Sequence, residues 1–219
     1  MIYVVGDLHG NFAMLDQLAQ EHLTSDDVVI QVGDFGWYPS VLNEWRQLLE
    51  SLPCKLYAID GNHEDFTYLG KFSKDEPTEI FPNLFYVPRG IVMEIEGKLF
   101  GFLGGGESID KAYRRENISW WKEEQITDDD VQTLINNVNG RVLDYLITHS
   151  PPKFTVNAHF SPLNTKTWSL PDDWKDVSSE QVSKAYWTLN PRNLLCGHMH
   201  RSVRDGNIRI LDIDEVVSL

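Results

Sequence analysis

"YAIDGNHEDF" occupies residues 57–66. A short apolar run ends in Gly61-Asn62, and His63, Glu64 and Asp65 follow at once. Polar side chains gathered at the end of a buried strand are costly to desolvate, so they need partners or a task. The strand they terminate, "KLYAIDG" (55–61), is the third of a series. "IYVVG" (2–6) is a continuous apolar run, the pattern of a strand buried on both faces, and "DVVIQVG" (27–33) is the second such strand. Between them, Asn11 stands where it can cap a helix over "FAMLDQLAQEHL", with Phe12, Leu15, Ala19 and Leu23 on one face. Ser40 is placed to cap "VLNEWRQLLESL", with Val41, Trp45, Leu48 and Leu52 on one face. This βαβαβ rhythm predicts parallel strands joined by right-handed crossovers.

The middle of the chain changes style. "LFYVPRG", "IVMEIEG" and "KLFGFLGGG" read as strands joined by tight turns, Glu96-Gly97 being one hairpin, so the sheet is expected to become mixed or antiparallel. Thr127 is placed to cap a helix running to about Val138, and "VLDYLITH" (142–149) reads as another buried strand. Residues 150–178, with four prolines, read as a long loop, which in a compact domain is more often functional than accidental. A helix near 179–187 and strands in "NLLCG", "SVRD" and "IRILDI" close the chain. With no repeat, linker or low-complexity tract, residues 1–219 are expected to form a single domain.

Composition limits the partners. Of the 219 residues, 42% are apolar, enough for a packed core, and the formal net charge is −14. That balance disfavours long nucleic acid, whose phosphates require clustered Lys and Arg, but a bound metal can supply positive charge locally to a small phosphate substrate. The two cysteines, Cys54 and Cys196, sit in apolar runs and read as buried thiols, with no disulfide framework. No leader pattern precedes the first strand and no window reaches the roughly 18 apolar residues of a membrane span. A soluble, reducing, cytoplasmic setting is the expectation; oligomeric state is left open.

What sits at the strand ends carries the chemistry. Asp7 and His9 follow the first strand, Asp34 the second, Asn62 and His63 the third, His149 a later one, and His198 and His200 another. In open α/β sheets the carboxyl ends of strands form the binding crevice. Each motif alone has an ordinary reading, as a turn or a hydrogen-bonded loop residue. Together they make an ordered set of carboxylate, imidazole and one amide with no thiolate, which suits Mn²⁺, Fe, Zn²⁺ or Ni²⁺. Seven donors exceed one coordination sphere, and a carboxylate bridging two ions roughly 3.5–4 Å apart resolves the count.

The order D-x-H, G-D, G-N-H-E, H, G-H-x-H, running from Asp7 to His200, resembles the calcineurin-like metallophosphoesterase superfamily, in particular its small bacterial and phage-type members. The resemblance implies an α/β (α+β) fold: a four-layer αββα sandwich of two mixed sheets flanked by helices. It assigns Asp7, His9 and His200 to one divalent ion, and Asn62, His149 and His198 to the other. Asp34 bridges both, and a metal-bridging hydroxide is the nucleophile. Manganese is the leading candidate, with Fe, Zn²⁺, Ni²⁺ or Mg²⁺ as alternatives. His63, surplus to coordination, is then placed as general acid, with Asn62 and Asp34 beside it in the catalytic set.

The protein-phosphatase continuation G-D-x-V-D-R-G is replaced here by "GDFGWYPS", which removes that family's phosphate-gripping Arg. Arg114 or Arg115, in "GGGESIDKAYRRENISWW", is a candidate substitute, against the plainer reading of a solvated basic face. The sequence therefore points to a phosphodiesterase acting on a small or cyclic nucleotide. The alternatives are a phosphomonoesterase or nucleotide pyrophosphatase on the same site, and a catalytically silent scaffold. Glu64 and Asp65 are expected to orient or cap, Trp120 and Trp121 to pack, and His22 and His159 to lie outside the site.

Overall fold

The computed structural model describes residues 1–219. The first half contains β1 (Ile2–Val5), α1 (Ala13–Glu21), β2 (Val28–Gln31), α2 (Pro39–Glu44), α3 (Arg46–Glu50), β3 (Lys55–Ala58), α4 (Phe66–Leu69), β4 (Thr78–Phe81), β5 (Leu84–Tyr86), β6 (Val92–Ile95) and β7 (Lys98–Leu103). The second half contains α5 (Asp128–Val138), β8 (Tyr145–Thr148), α6 (Lys153–His159), α7 (Val177–Leu189), β9 (Asn193–Cys196), β10 (Val203–Asp205), β11 (Ile208–Ile210) and β12 (Val216–Ser218). Two mixed six-stranded sheets result, in the orders β12-β1-β2-β3-β5-β4 and β10-β11-β9-β8-β7-β6.

Side-chain alternation explains why these strands are apolar throughout. Successive residues of a strand point to opposite faces. Val4, Val28 and Ile30 point inward and meet Phe100, Phe102, Ile147 and Leu195 of the other sheet. Their neighbours Val5 and Val29 point outward, onto Leu15 and Leu18 of α1 and Leu42 and Leu49 of α2 and α3. On the far side, Leu103, Leu146 and Leu194 meet Val131 and Leu134 of α5 and Val182 of α7. Three apolar clusters thus separate four layers, as the αββα expectation requires. The β6–β7 hairpin turns at Glu96 and Gly97, both with positive φ (49° and 72°), the conformation a tight two-residue hairpin needs.

Several local expectations are corrected. The helix assigned to Ser40 opens at Pro39, whose fixed φ and missing N–H suit a first helical position, and Ser40 makes no cap bond. That helix breaks at Trp45 into α2 and α3. Asn11 does bond the Ala13 N–H at 3.2 Å, but Phe12 is the flanking residue. Thr127 caps α5 in a reciprocal capping box with Asp130. Residues 150–178 are not a continuous loop: α6 starts directly after Pro152. β4, α4 and β12 are short elements the pattern did not reveal; β12 pairs antiparallel with β1.

Candidate metal centre and active site

The C-terminal ends of β1, β2 and β3 in one sheet and of β8 and β9 in the other meet at one rim, which brings Asp7, His9, Asp34, Asn62, His63, His149, His198 and His200 together. His9, Asp34, His198 and His200 all hold positive φ, of 48°, 53°, 71° and 46°. Residues with a Cβ adopt this region only where surroundings enforce it. Here the enforcing bonds are visible. The N–H groups of Leu8 and His9 both donate to the Asp34 carbonyl, at 3.0 and 2.7 Å. The His198 N–H donates to both oxygens of Asp7 at 3.1 Å. Glycine beside each carboxylate is a steric need: a Cβ on Gly61 would stand 2.1 Å from Asp34 Oδ1, and one on Gly197 2.0 Å from Asp7 Oδ1.

Asp7, His9, Asp34 and His200 present donor atoms all within 4.8 Å of one another, a group able to hold a metal ion. His9 Nε2 and His200 Nε2 are 3.0 Å apart, and His200 Nε2 is 3.2 Å from Asp7 Oδ2. The hydrogen bond to Asp7 raises the His200 pKa.

A second group lies across Asp34. His149 Nδ1 is 3.0 Å from the Val32 carbonyl, which can only accept, so that nitrogen carries a proton. Its Nε2 faces two more acceptors, Asn62 Oδ1 at 3.0 Å and Asp34 Oδ2 at 3.5 Å. The Asn62 amide is fixed in this sense because its Nδ2 donates to Ser108 Oγ at 3.0 Å. Asp34 Oδ2 is buried without a hydrogen-bond partner. Three acceptor atoms converging on one point need a cation there. In its absence a second proton on His149 serves: burial would lower its pKa, but Asp34 and then Asp7 outweigh burial and raise it to about 9. A divalent metal fits the same place, and the donor set of imidazole, amide and carboxylate suits it. The His198 ring lies 4.9 Å from that of His149, and burial, then the neighbouring His149, lowers its pKa to about 4.

His63 stands at the edge of both groups. Its main-chain N–H donates to Asp34 Oδ1 at 2.8 Å, and its ring centroid is 5.5 Å from that of His9. Burial lowers its pKa, with Asp34 acting in the opposite direction and Arg114 in the same one. Glu64 is fully buried and accepts the N–H groups of Phe35, Gly36 and Trp37, which shapes the loop carrying Asp34. Asp65 caps α4 through the Tyr68 N–H. So of three consecutive polar residues, one faces the site and two build it.

The structure brings Arg114 near the site and leaves Arg115 outside. Arg114 Nη1 donates to Ser108 Oγ at 3.0 Å and lies 3.5 Å from Asp110, whereas Arg115 is exposed. His22 is exposed beside Glu21, and His159 lies 3.4 Å from Asp205. Cys196 is buried, and Trp121 is buried with its indole N–H on Thr67.

Sequence reasoning missed two supporting groups. Ser108 Oγ accepts from Asn62 and Arg114 and donates to Glu124 Oε2 at 2.7 Å. Asp60, fully buried, takes two bonds from Arg89, whose other N–H groups reach the carbonyls of Glu123, Glu124 and Gln125. Asp60 precedes Gly61-Asn62, so Arg89 ties that loop to the 123–125 segment. Nothing in the spacing of these residues marks them. A cavity of about 810 Å³ opens from Asp34, Asn62, His63, His198 and His200 toward the segment after β8.

Comparison with known proteins agrees with the fold. Among solved structures the chain is similar to TT1561 of Thermus thermophilus, with TM-score 0.56 and 12% identity over 96% of this chain and 88% of that one. It is also similar to phosphopantetheinyl hydrolase from Mycobacterium tuberculosis, with TM-score 0.52 and 16% identity over 96% and 87%. At such identities the likeness is one of fold. No curated protein matches the sequence. Residues 1–202 match the family model of the calcineurin-like phosphoesterases, so the chain belongs to that family of metal-dependent hydrolases.

Proposed function

We propose that the protein hydrolyses small phosphodiesters, using two divalent ions. Asp7, His9 and His200 hold one ion, Asn62, His149 and His198 hold the other, and Asp34 serves both. The observation that carries this reading is the convergence of His149 Nε2, Asn62 Oδ1 and the partnerless Asp34 Oδ2 beside the Asp7-His9-His200 group. When bound, the ions supply Lewis acidity that activates water and offsets phosphoryl charge. Manganese is favoured by the mix of carboxylate, imidazole and amide donors without thiolate.

The chain's own residues do the rest. Asp34 and Asn62 fix the donor geometry, and the backbone of His63 is held by Asp34. The His63 imidazole, free of side-chain hydrogen bonds, protonates the leaving oxygen or stabilises phosphoryl charge. A lowered pKa makes it a stronger acid, present in smaller protonated fraction at neutral pH. The diester preference rests on charge. Arg114 is occupied by Ser108 and Asp110, and among the cavity-lining residues Lys153 is the one lysine or arginine, a thin complement for a dianionic monoester.

Turnover of bis(p-nitrophenyl) phosphate against p-nitrophenyl phosphate in Mn²⁺ tests the preference, and faster monoester turnover overturns it. An unactivated diester tests His63, because an activated leaving group needs little protonation. His63→Ala is expected to lower its kcat by about 10²-fold or more. Full activity in that variant removes the assigned role.

A further inference from the structure

The cavity next to the metal centre is much larger than a phosphoryl group. At about 810 Å³ it falls in the range that holds a drug-sized ligand, and its lining runs well beyond the metal-side residues. The remainder is walled by the segment between β8 and α7, which contributes Val156, Phe160, Leu163, Trp168 and Trp174. Glu107, Ile109 and Asp110 of the 107–125 segment add to the wall, and Tyr113 ties that segment to the one carrying Trp168. Tyr113 Oη donates to the Thr167 carbonyl at 3.3 Å and lies 3.2 Å from Ser169 Oγ, either side of Trp168. Trp174 lines the cavity with its indole N–H buried and without an acceptor.

The charges in the wall narrow the ligand further. Glu107 is engaged by Lys111 at 2.9 Å and by Gln125, Asp110 lies near Arg114, and Asp176 caps α7. With Lys111 and Arg114 already committed to carboxylates, Lys153 is the one lysine or arginine in the lining, and it is a poor complement for a run of phosphates. Two indoles and apolar side chains instead suit a planar aromatic group.

Resting on the phosphoesterase reading above, we propose that this compartment receives the aromatic, nucleoside-sized substituent of a monoanionic phosphodiester, and that Trp168 and Trp174 set that preference. Polyphosphorylated nucleotides are disfavoured by the same wall.

The test compares two esters with the same leaving group and charge, thymidine 5′-(p-nitrophenyl) phosphate and methyl p-nitrophenyl phosphate, on Mn²⁺-loaded enzyme. The wild type is expected to favour the thymidine ester about tenfold or more in kcat/KM. Trp174→Ala and Trp168→Ala are expected to bring the ratio of the two esters toward one. Trp174→Phe, which keeps a smaller aromatic ring, is expected to fall between. A wild-type ratio near one, or a ratio unmoved by either alanine variant, overturns the proposal. If neither ester is hydrolysed with any divalent ion, the phosphoesterase reading fails separately. The compartment is then judged by tryptophan fluorescence of the metal-free protein, titrated with thymidine 5′-methyl phosphate and with dimethyl phosphate. Saturable quenching by the first alone supports it, and equal response to both overturns it.

Discussion

The main-chain N–H of His63 donates to Asp34 Oδ1 at 2.8 Å, while Asp34 Oδ2, buried, takes no hydrogen bond. One carboxylate thus has a structural oxygen and one without a hydrogen-bond partner, and the latter lies between the two candidate metal groups. Asp34→Asn is expected to keep the fold, because the amide oxygen still accepts from His63. It is expected to abolish most of the rise in Tm on adding Mn²⁺, since ligand binding to the native state is what raises Tm. Differential scanning with and without Mn²⁺ checks this, and an undiminished Mn²⁺ shift in the variant counts against Asp34 as a ligand.

Ser108 orients Asn62. Its hydroxyl donates to Glu124 and so can accept from the Asn62 amide, which leaves Asn62 Oδ1 facing His149. Outer partners of this type typically alter metal affinity about 10–100-fold. Ser108→Ala is expected to weaken Mn²⁺ binding by about that factor, with Ser108→Thr retaining most of it. Calorimetric titration of the metal-free protein with Mn²⁺ distinguishes the two variants.

Glu124 makes stability depend on pH. Burial, working against the bonds from Ser108, raises its pKa from 4.5 to about 7. The native state therefore keeps this proton over a range in which the unfolded chain has released it. Stability is lost as pH rises from about 4.5 to 7 and changes no further above that. The total is on the order of 3 kcal/mol, at about 1.4 kcal/mol per unit of pKa. Glu124→Gln is expected to remove this slope in urea unfolding of the metal-free protein. A wild-type and variant with parallel pH profiles would falsify the assignment.

Arg89 and Asp60 form a buried pair whose halves are not independently tolerable. Removing one partner of such a pair typically costs about 3–5 kcal/mol because the other charge is left uncompensated. Arg89→Met is expected to destabilise by about that amount, and adding Asp60→Asn to restore part of it. A double-mutant cycle in urea measures the coupling, and additive effects would show that the pair is not coupled.

The layers, and the gathering of the candidate donors at one rim, were legible because they are written locally. Apolar strands such as "IYVVG" and "DVVIQVG" record burial on both faces, and each ends in its own donor, so finding the strands also finds Asp7, His9, Asp34 and Asn62. What supports these donors was not legible. Ser108 and Glu124 reach Asn62 only after two distant segments fold together, and a serine or glutamate carries no mark of such a bond. α6 was hidden by Pro151-Pro152, which read as a breaker although Pro152 stands where a helix begins. Arg114 and Arg115 are sequence neighbours with equal claims, and only the backbone path separates the largely buried one at Ser108 from the exposed one.

The proposed chemistry turns on two ions sharing Asp34. Metal content of protein reconstituted with excess Mn²⁺ and freed of unbound ion, measured by mass spectrometry, is the direct test. The account predicts two ions per chain in the wild type and a deficit in both His149→Ala and His200→Ala, each lacking a donor to a different ion. One ion or none in the wild type, or a full complement in either variant, contradicts it.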